Sequence, residues 1–233
     1  MKILKFKEIE NKYQKKFGNA IEKLTLAFLI VVIFVAAFNF YQVKSHNNLI
    51  TGNAVIYNLD KFSDLDVIPK GIPEVYGKEL GVSFDDVSAI NPQKADTTIG
   101  NLGVLDEKIV LSGNDFNRYV SIVNKISCEY CCGTPSIIFS DGKPACGCAH
   151  SYAMRGLAKY LIKYHGSEYT DDQILEELGK WKTLFFPEKI TEKAIILNSK
   201  GIELNYINLA SNKYRDIEKG SAVVQSSGMV GGC

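Results

Sequence analysis

Five of the six cysteines fall within 21 residues, as Cys128, Cys131 and Cys132 and then Cys146 and Cys148, with His150 two positions further on. Sulfur packed this densely suits a soft metal ion, a thiol exchange reaction or a set of cross-links, because only the deprotonated sulfur binds metal or attacks a disulfide. Any fold of this chain has to bring the two cysteine groups together. Between them, residues 136–145 are β-prone around Asp141-Gly142, a favoured two-residue hairpin turn. Before them, Phe116, Tyr119, Val120, Val123 and Ile126 follow the spacing of three and four that predicts a helix delivering the chain to Cys128. After them, the stripe of Met154, Leu157, Ala158, Leu161 and Ile162 predicts an amphipathic helix over 149–164. The order of Cys knuckle, β-hairpin and helix is treble-clef-like, in which a hairpin brings two ligand pairs to one tetrahedral ion. The expected fold class is α+β, mainly helical.

A second feature bears on location. Residues 1–23 carry a net charge of +4, leaving −3 for the rest, and run into 18 residues, 24–41, that contain no charge. As a helix such a run covers about 27 Å, close to the thickness of the bilayer interior. It predicts an uncleaved N-terminal transmembrane helix, with the basic segment placing the N-terminus in the cytoplasm and the cysteines outside it. The cell membrane is thus the expected location of a single-pass protein, and the lipid bilayer one expected partner. With the basic charge terminal, no nucleic-acid footprint is present.

The expected organisation is a basic segment over 1–23, a transmembrane helix over 24–41, a tether over 42–58, a mainly helical extracytoplasmic segment over 59–126, a cysteine-rich metal-binding module over 127–218, and a flexible Gly/Ser tail over 219–233. Within these, Ser83 begins a short capped helix, Thr170-Asp-Asp-Gln173 is a capping box, 191–198 is a further helix, and residues 202–206 alternate like a strand.

Five thiols and one imidazole exceed the four ligands of a structural zinc. The candidate ligands are Cys128, Cys131, Cys132, Cys146, Cys148 and His150, with Cys233 and Met154 as accessory candidates. His150 and Met154 share one helix face, and the Met154 thioether suits Cu(I) but fits the core stripe as well. Zinc or Cu(I) is the expected metal, with an iron–sulfur cluster third. Two other readings stand beside it. One is a thiol-disulfide oxidoreductase using the C-x2-C pair Cys128 and Cys131, with a thiol-bearing partner protein. The other is a disulfide-stapled interaction domain. No catalytic triad, phosphate-binding Gly loop or calcium loop occurs, so the sequence favours a binding protein over an enzyme.

The cysteine region, over about residues 127–182, resembles the family of extracytoplasmic cysteine-rich proteins named for its Pro-Cys-Tyr-Cys-Gly-Cys (PCYCGC) motif. The similar features are Cys128-Glu-Tyr-Cys131-Cys132-Gly133, Cys146-Gly-Cys148, the helix that follows, and the capped helix at Thr170. Ser127 stands in place of the proline, and the second pair is C-x-C. The resemblance implies a secreted or anchored cysteine module and no particular reaction.

Overall fold

The computed structural model describes residues 65–219 and 228–232, together with 28, 29, 32–35 and 38. The described residues of 55–233 belong to one compact unit. It is built from helices α1 (Gly77–Leu80), α2 (Pro92–Lys108), α3 (Gly113–Val123), α4 (Ala149–His165), α5 (Asp171–Phe185), α6 (Pro187–Ser199) and α7 (Tyr206–Ala210), with short 3-10 turns at Phe84–Asp86 and Asn212–Tyr214.

Local chemistry sets most of the helix starts. The Asn91 side chain accepts from Lys94 N, with Pro92 in the first turn of α2, where its missing N–H costs nothing. Thr170 and Gln173 form a reciprocal capping box at α5. Cys148 caps α4, its sulfur accepting from Ser151 N. The core is one cluster drawn from along the whole unit, including Val67, Tyr76, Leu157, Leu161, Trp181 and Val230. A polar chain crosses it: Trp181 Nε1 donates to the Tyr76 hydroxyl (2.8 Å), which donates to Glu177 (2.8 Å). Residues before and after the cysteines therefore share one interior.

The α+β expectation is corrected, because the described residues contain no strand or sheet. The expected β-hairpin at 136–145 is a turn with one isolated bridge, Ile138 to Pro144. Phe139 N donates to Lys143 O (2.8 Å) and Ala145 N to Ile137 O (3.0 Å), but Pro144 has no N–H with which to extend a ladder. Gly142, at φ 81°, supplies the left-handed position of the turn. The treble-clef comparison fails with the hairpin. The alternation at 202–206 has no strand beside it to pair with, and Asn205 instead caps α7 by accepting from Asn208 N.

The expected membrane anchor is also corrected. Among the described residues no helix is long and apolar enough to cross a membrane. Most of 24–41 lies outside the described residues, and its described members, such as Phe28, Leu29 and Phe38, are helical. Lack of charge over 18 residues does not suffice, since crossing a bilayer needs an unbroken helix that satisfies every backbone group internally. The single-pass topology, the cell-membrane location, and the bilayer as partner fall with it. The tether at 42–58 lies outside the described residues.

His165, the last residue of α4, is buried, with Nδ1 2.8 Å from Glu168 and Nε2 3.1 Å from Glu79 of α1. Burial works against a charged ring, but the two carboxylates outweigh it and raise its pKa. A raised folded pKa stabilises fully below the ordinary histidine value of about 6.5, and that contribution disappears as pH rises through the folded value. The difference in melting temperature between the native chain and His165→Gln should shrink over that interval. A difference that stays constant with pH would rule the ion pairs out as its source.

Candidate metal centre

Two loops and one helix end make the site. Ile126 bridges Ser211, which fixes the start of the first loop, and Cys128 follows two residues later. Arg215 holds the rest of that loop by donating to Ser127 Oγ (2.9 Å), Thr134 O (2.6 Å) and Gly133 O (2.8 Å). The second loop is held from α4, where the fully buried Arg155 pairs with Asp106 of α2 (2.7 Å) and donates to Cys146 O (2.8 Å). Cys148 then enters the first turn of α4.

These supports bring together the sulfurs of Cys128, Cys132, Cys146 and Cys148, all within 4.8 Å of one another. Cys132 and Cys146 form a disulfide, while Cys128 and Cys148 are free thiols 3.3 Å apart. Cys146 Sγ lies 3.5 Å from Cys148 Sγ. Cys128, Cys146 and Cys148 are 0%, 5% and 8% exposed, whereas Cys132 is open to solvent.

The two free thiols share a proton unequally. The hydrogen bond from Cys128 holds the Cys148 pKa down, helped against burial by Ser151. The same bond, with burial, pushes Cys128 up. Cys148, at the positive end of a 17-residue helix, is the thiolate of the pair.

Of the sequence candidates, Cys131 is disulfide-bonded and outside the four-sulfur group, so Cys128 and Cys131 are not a redox couple here. His150 is fully buried against Phe185 and Phe186. Its Nε2 lies 2.8 Å from Val230 O, and since a carbonyl only accepts, Nε2 carries the proton. Nδ1 is then a lone pair, and it makes no hydrogen bond in the protein. Met154 is a core residue, fully buried. Cys233 lies outside the described residues. The described end of the tail is seated, with Val230 buried and its N–H donating to Phe185 O (2.9 Å) and Gly232 N donating to Asp96 (3.2 Å).

Sequence reading missed the charged floor of the site. Glu129, one residue after Cys128, accepts from Lys182 of α5 (3.0 Å) and Lys193 of α6 (3.1 Å) and from Asp216 N (2.8 Å). Both lysines are fully buried, and Lys193 also lies 3.6 Å from Glu218. Burial pushes Lys182 down to about 8 even with Glu129 beside it. Burial alone would raise the Glu129 carboxyl, but the two lysines outweigh it and hold it below its usual range. Tyr130 covers both ammonium groups, at 5.5 and 5.6 Å. The signal was there to find: Lys182 lies four residues after Leu178, and Lys193 three after Ile190, each on the apolar face of its helix.

No family model matches the chain, and no curated protein or solved structure was found to be similar to it.

Proposed function

We propose that the protein binds a soft or borderline transition metal, zinc or Cu(I), through Cys128, Cys132, Cys146 and Cys148 in their reduced form. The carrying observation is the convergence of four sulfurs within 4.8 Å, three of them buried. A Zn–S bond of about 2.3 Å separates tetrahedral sulfurs by about 3.8 Å, so only small movements would be needed once the disulfide is open. A single ion suits this spacing, whereas an iron–sulfur cluster spreads its cysteines over two or more irons. Four thiolates this close repel one another, and a cation removes that cost, which couples metal uptake to proton release. The exposed Cys132 is where a partner's thiol would reach the metal, which is the arrangement that metal trafficking calls for.

Metal analysis of the chain, reduced and handled without oxygen, should find about one equivalent of zinc or Cu(I). Cys148→Ser should weaken binding by at least about tenfold, by removing a buried ligand. Less than about a tenth of an equivalent in the fully reduced native chain would defeat the reading.

A further inference from the structure

The cluster is half oxidised, and its four sulfurs differ in access. Cys132 alone is open to solvent, while its disulfide partner Cys146 is 5% exposed. An incoming thiol therefore has one sulfur to attack. The sulfur released by that attack is also placed in advance. Cys146 lies 3.5 Å from Cys148, which is 3.3 Å from Cys128, so opening the bond completes the four-sulfur group without rebuilding either loop. Backbone contacts that do not involve sulfur hold both loops through the change: Arg215 on the carbonyls of Gly133 and Thr134, and Arg155 on that of Cys146.

We propose that the Cys132–Cys146 disulfide exchanges with the dithiol of a partner protein, entered at Cys132, and that this exchange switches the cluster between a closed disulfide form and a metal-holding thiolate form. In its metal-holding half the proposal rests on the reading above. The chemistry balances as follows. A partner thiolate attacks Cys132 Sγ, the Cys132–Cys146 bond breaks, and its electron pair leaves on Cys146 as a thiolate. The partner's second thiolate then attacks its own sulfur in the mixed disulfide and expels Cys132 as a thiolate. The partner's two thiols become a disulfide, and Cys132 and Cys146 gain the two electrons. The two protons lost by the partner pass to the new thiolates or to water when a metal takes their place.

This assigns the exchangeable pair to Cys132 and Cys146, where sequence spacing pointed to Cys128 and Cys131.

The test uses the oxidised full-length chain in native buffer. With excess glutathione as a monothiol, acid quenching and peptide mass mapping should find, for this disulfide, the adduct on Cys132 and Cys146 as a free thiol. With dithiothreitol, the Cys132–Cys146 bond should be lost without denaturant. In parallel, zinc uptake is measured before and after reduction by a phosphine, which does not compete for the metal as dithiothreitol does. Uptake should occur only after reduction. Absence of a Cys132 adduct, or a disulfide that dithiothreitol opens only in denaturant, overturns the exchange even if the phosphine-reduced chain binds zinc. Opening by dithiothreitol with no zinc uptake after reduction overturns the metal reading and the metal half of the switch, and leaves the exchange.

Discussion

Glu129→Gln should destabilise the fold by about 3–5 kcal/mol at neutral pH, the cost of removing one partner from a buried ion pair. The change is nearly isosteric, so packing alone predicts little loss. The effect comes from Lys182 and Lys193, both fully buried, which share this carboxylate at 3.0 and 3.1 Å. An amide can still accept a hydrogen bond, but it offers no charge to two ammonium groups removed from water. The deficit should also depend on pH. Lys182 has its pKa pushed down to about 8, below its unfolded value. Its buried charge therefore costs stability below that pH, and the cost lifts as pH rises from there toward the ordinary lysine value. Without Glu129 the Lys182 pKa falls further, so urea denaturation of both chains should show the gap narrowing as pH rises toward about 8, where the native Lys182 also loses its proton, and level above that. A gap below about 1 kcal/mol, unchanged with pH, would mean that water reaches the lysines.

Gly156→Ala is the second large effect, expected to be a net loss of about 2 kcal/mol. Alanine in a helix interior gains up to about 1 kcal/mol over glycine, so propensity favours the change. Packing opposes it. A Cβ on Gly156 would clash with Leu102 O and lie 2.9 Å from Asp106 N, both backbone atoms of α2 that cannot swing aside. Helices α2 and α4 would have to separate, and overpacking of this kind costs about 1–3 kcal/mol or more. Separation would also pull Arg155 from Asp106. Gly100→Ala is the control, since a Cβ there meets nothing within 4 Å. Thermal melts should move in opposite directions, down for Gly156→Ala and up for Gly100→Ala. If both rise, the close approach of α2 to α4 is wrong.

What the sequence could show depended on whether the signal was local. Helix α4 and the Thr170 capping box were legible because the periodic stripe and the cap chemistry lie within a few residues of each other. Helix α2 was not, since Gly100 and Gly103 interrupt its pattern. The reason for Gly103 is tertiary, as a Cβ there would come within 3.3 Å of Tyr152 on α4. The hairpin expectation failed for a related cause: Asp141-Gly142 does make the turn, but β propensity cannot provide the N–H that Pro144 lacks. At the site, clustering named all four sulfurs that converge. It could not say that Cys131 stands outside them, nor that Cys132 pairs with Cys146, because those depend on which side chain each loop turns inward.

The cysteine loops are gripped by their backbone. Arg215 takes the carbonyls of Gly133 and Thr134, Asn212 that of Pro135 (2.9 Å), and Arg155 those of Ile137 (3.3 Å) and Cys146. Every residue type has a carbonyl, so these grips do not depend on the loop's side chains. Sequence drift is then free at exposed positions such as Phe139 and Ser140 and restricted at the distant side chains that do the holding. Related chains would be recognised less by the residues between their cysteines than by an arginine on the following helix and another some 80 residues downstream.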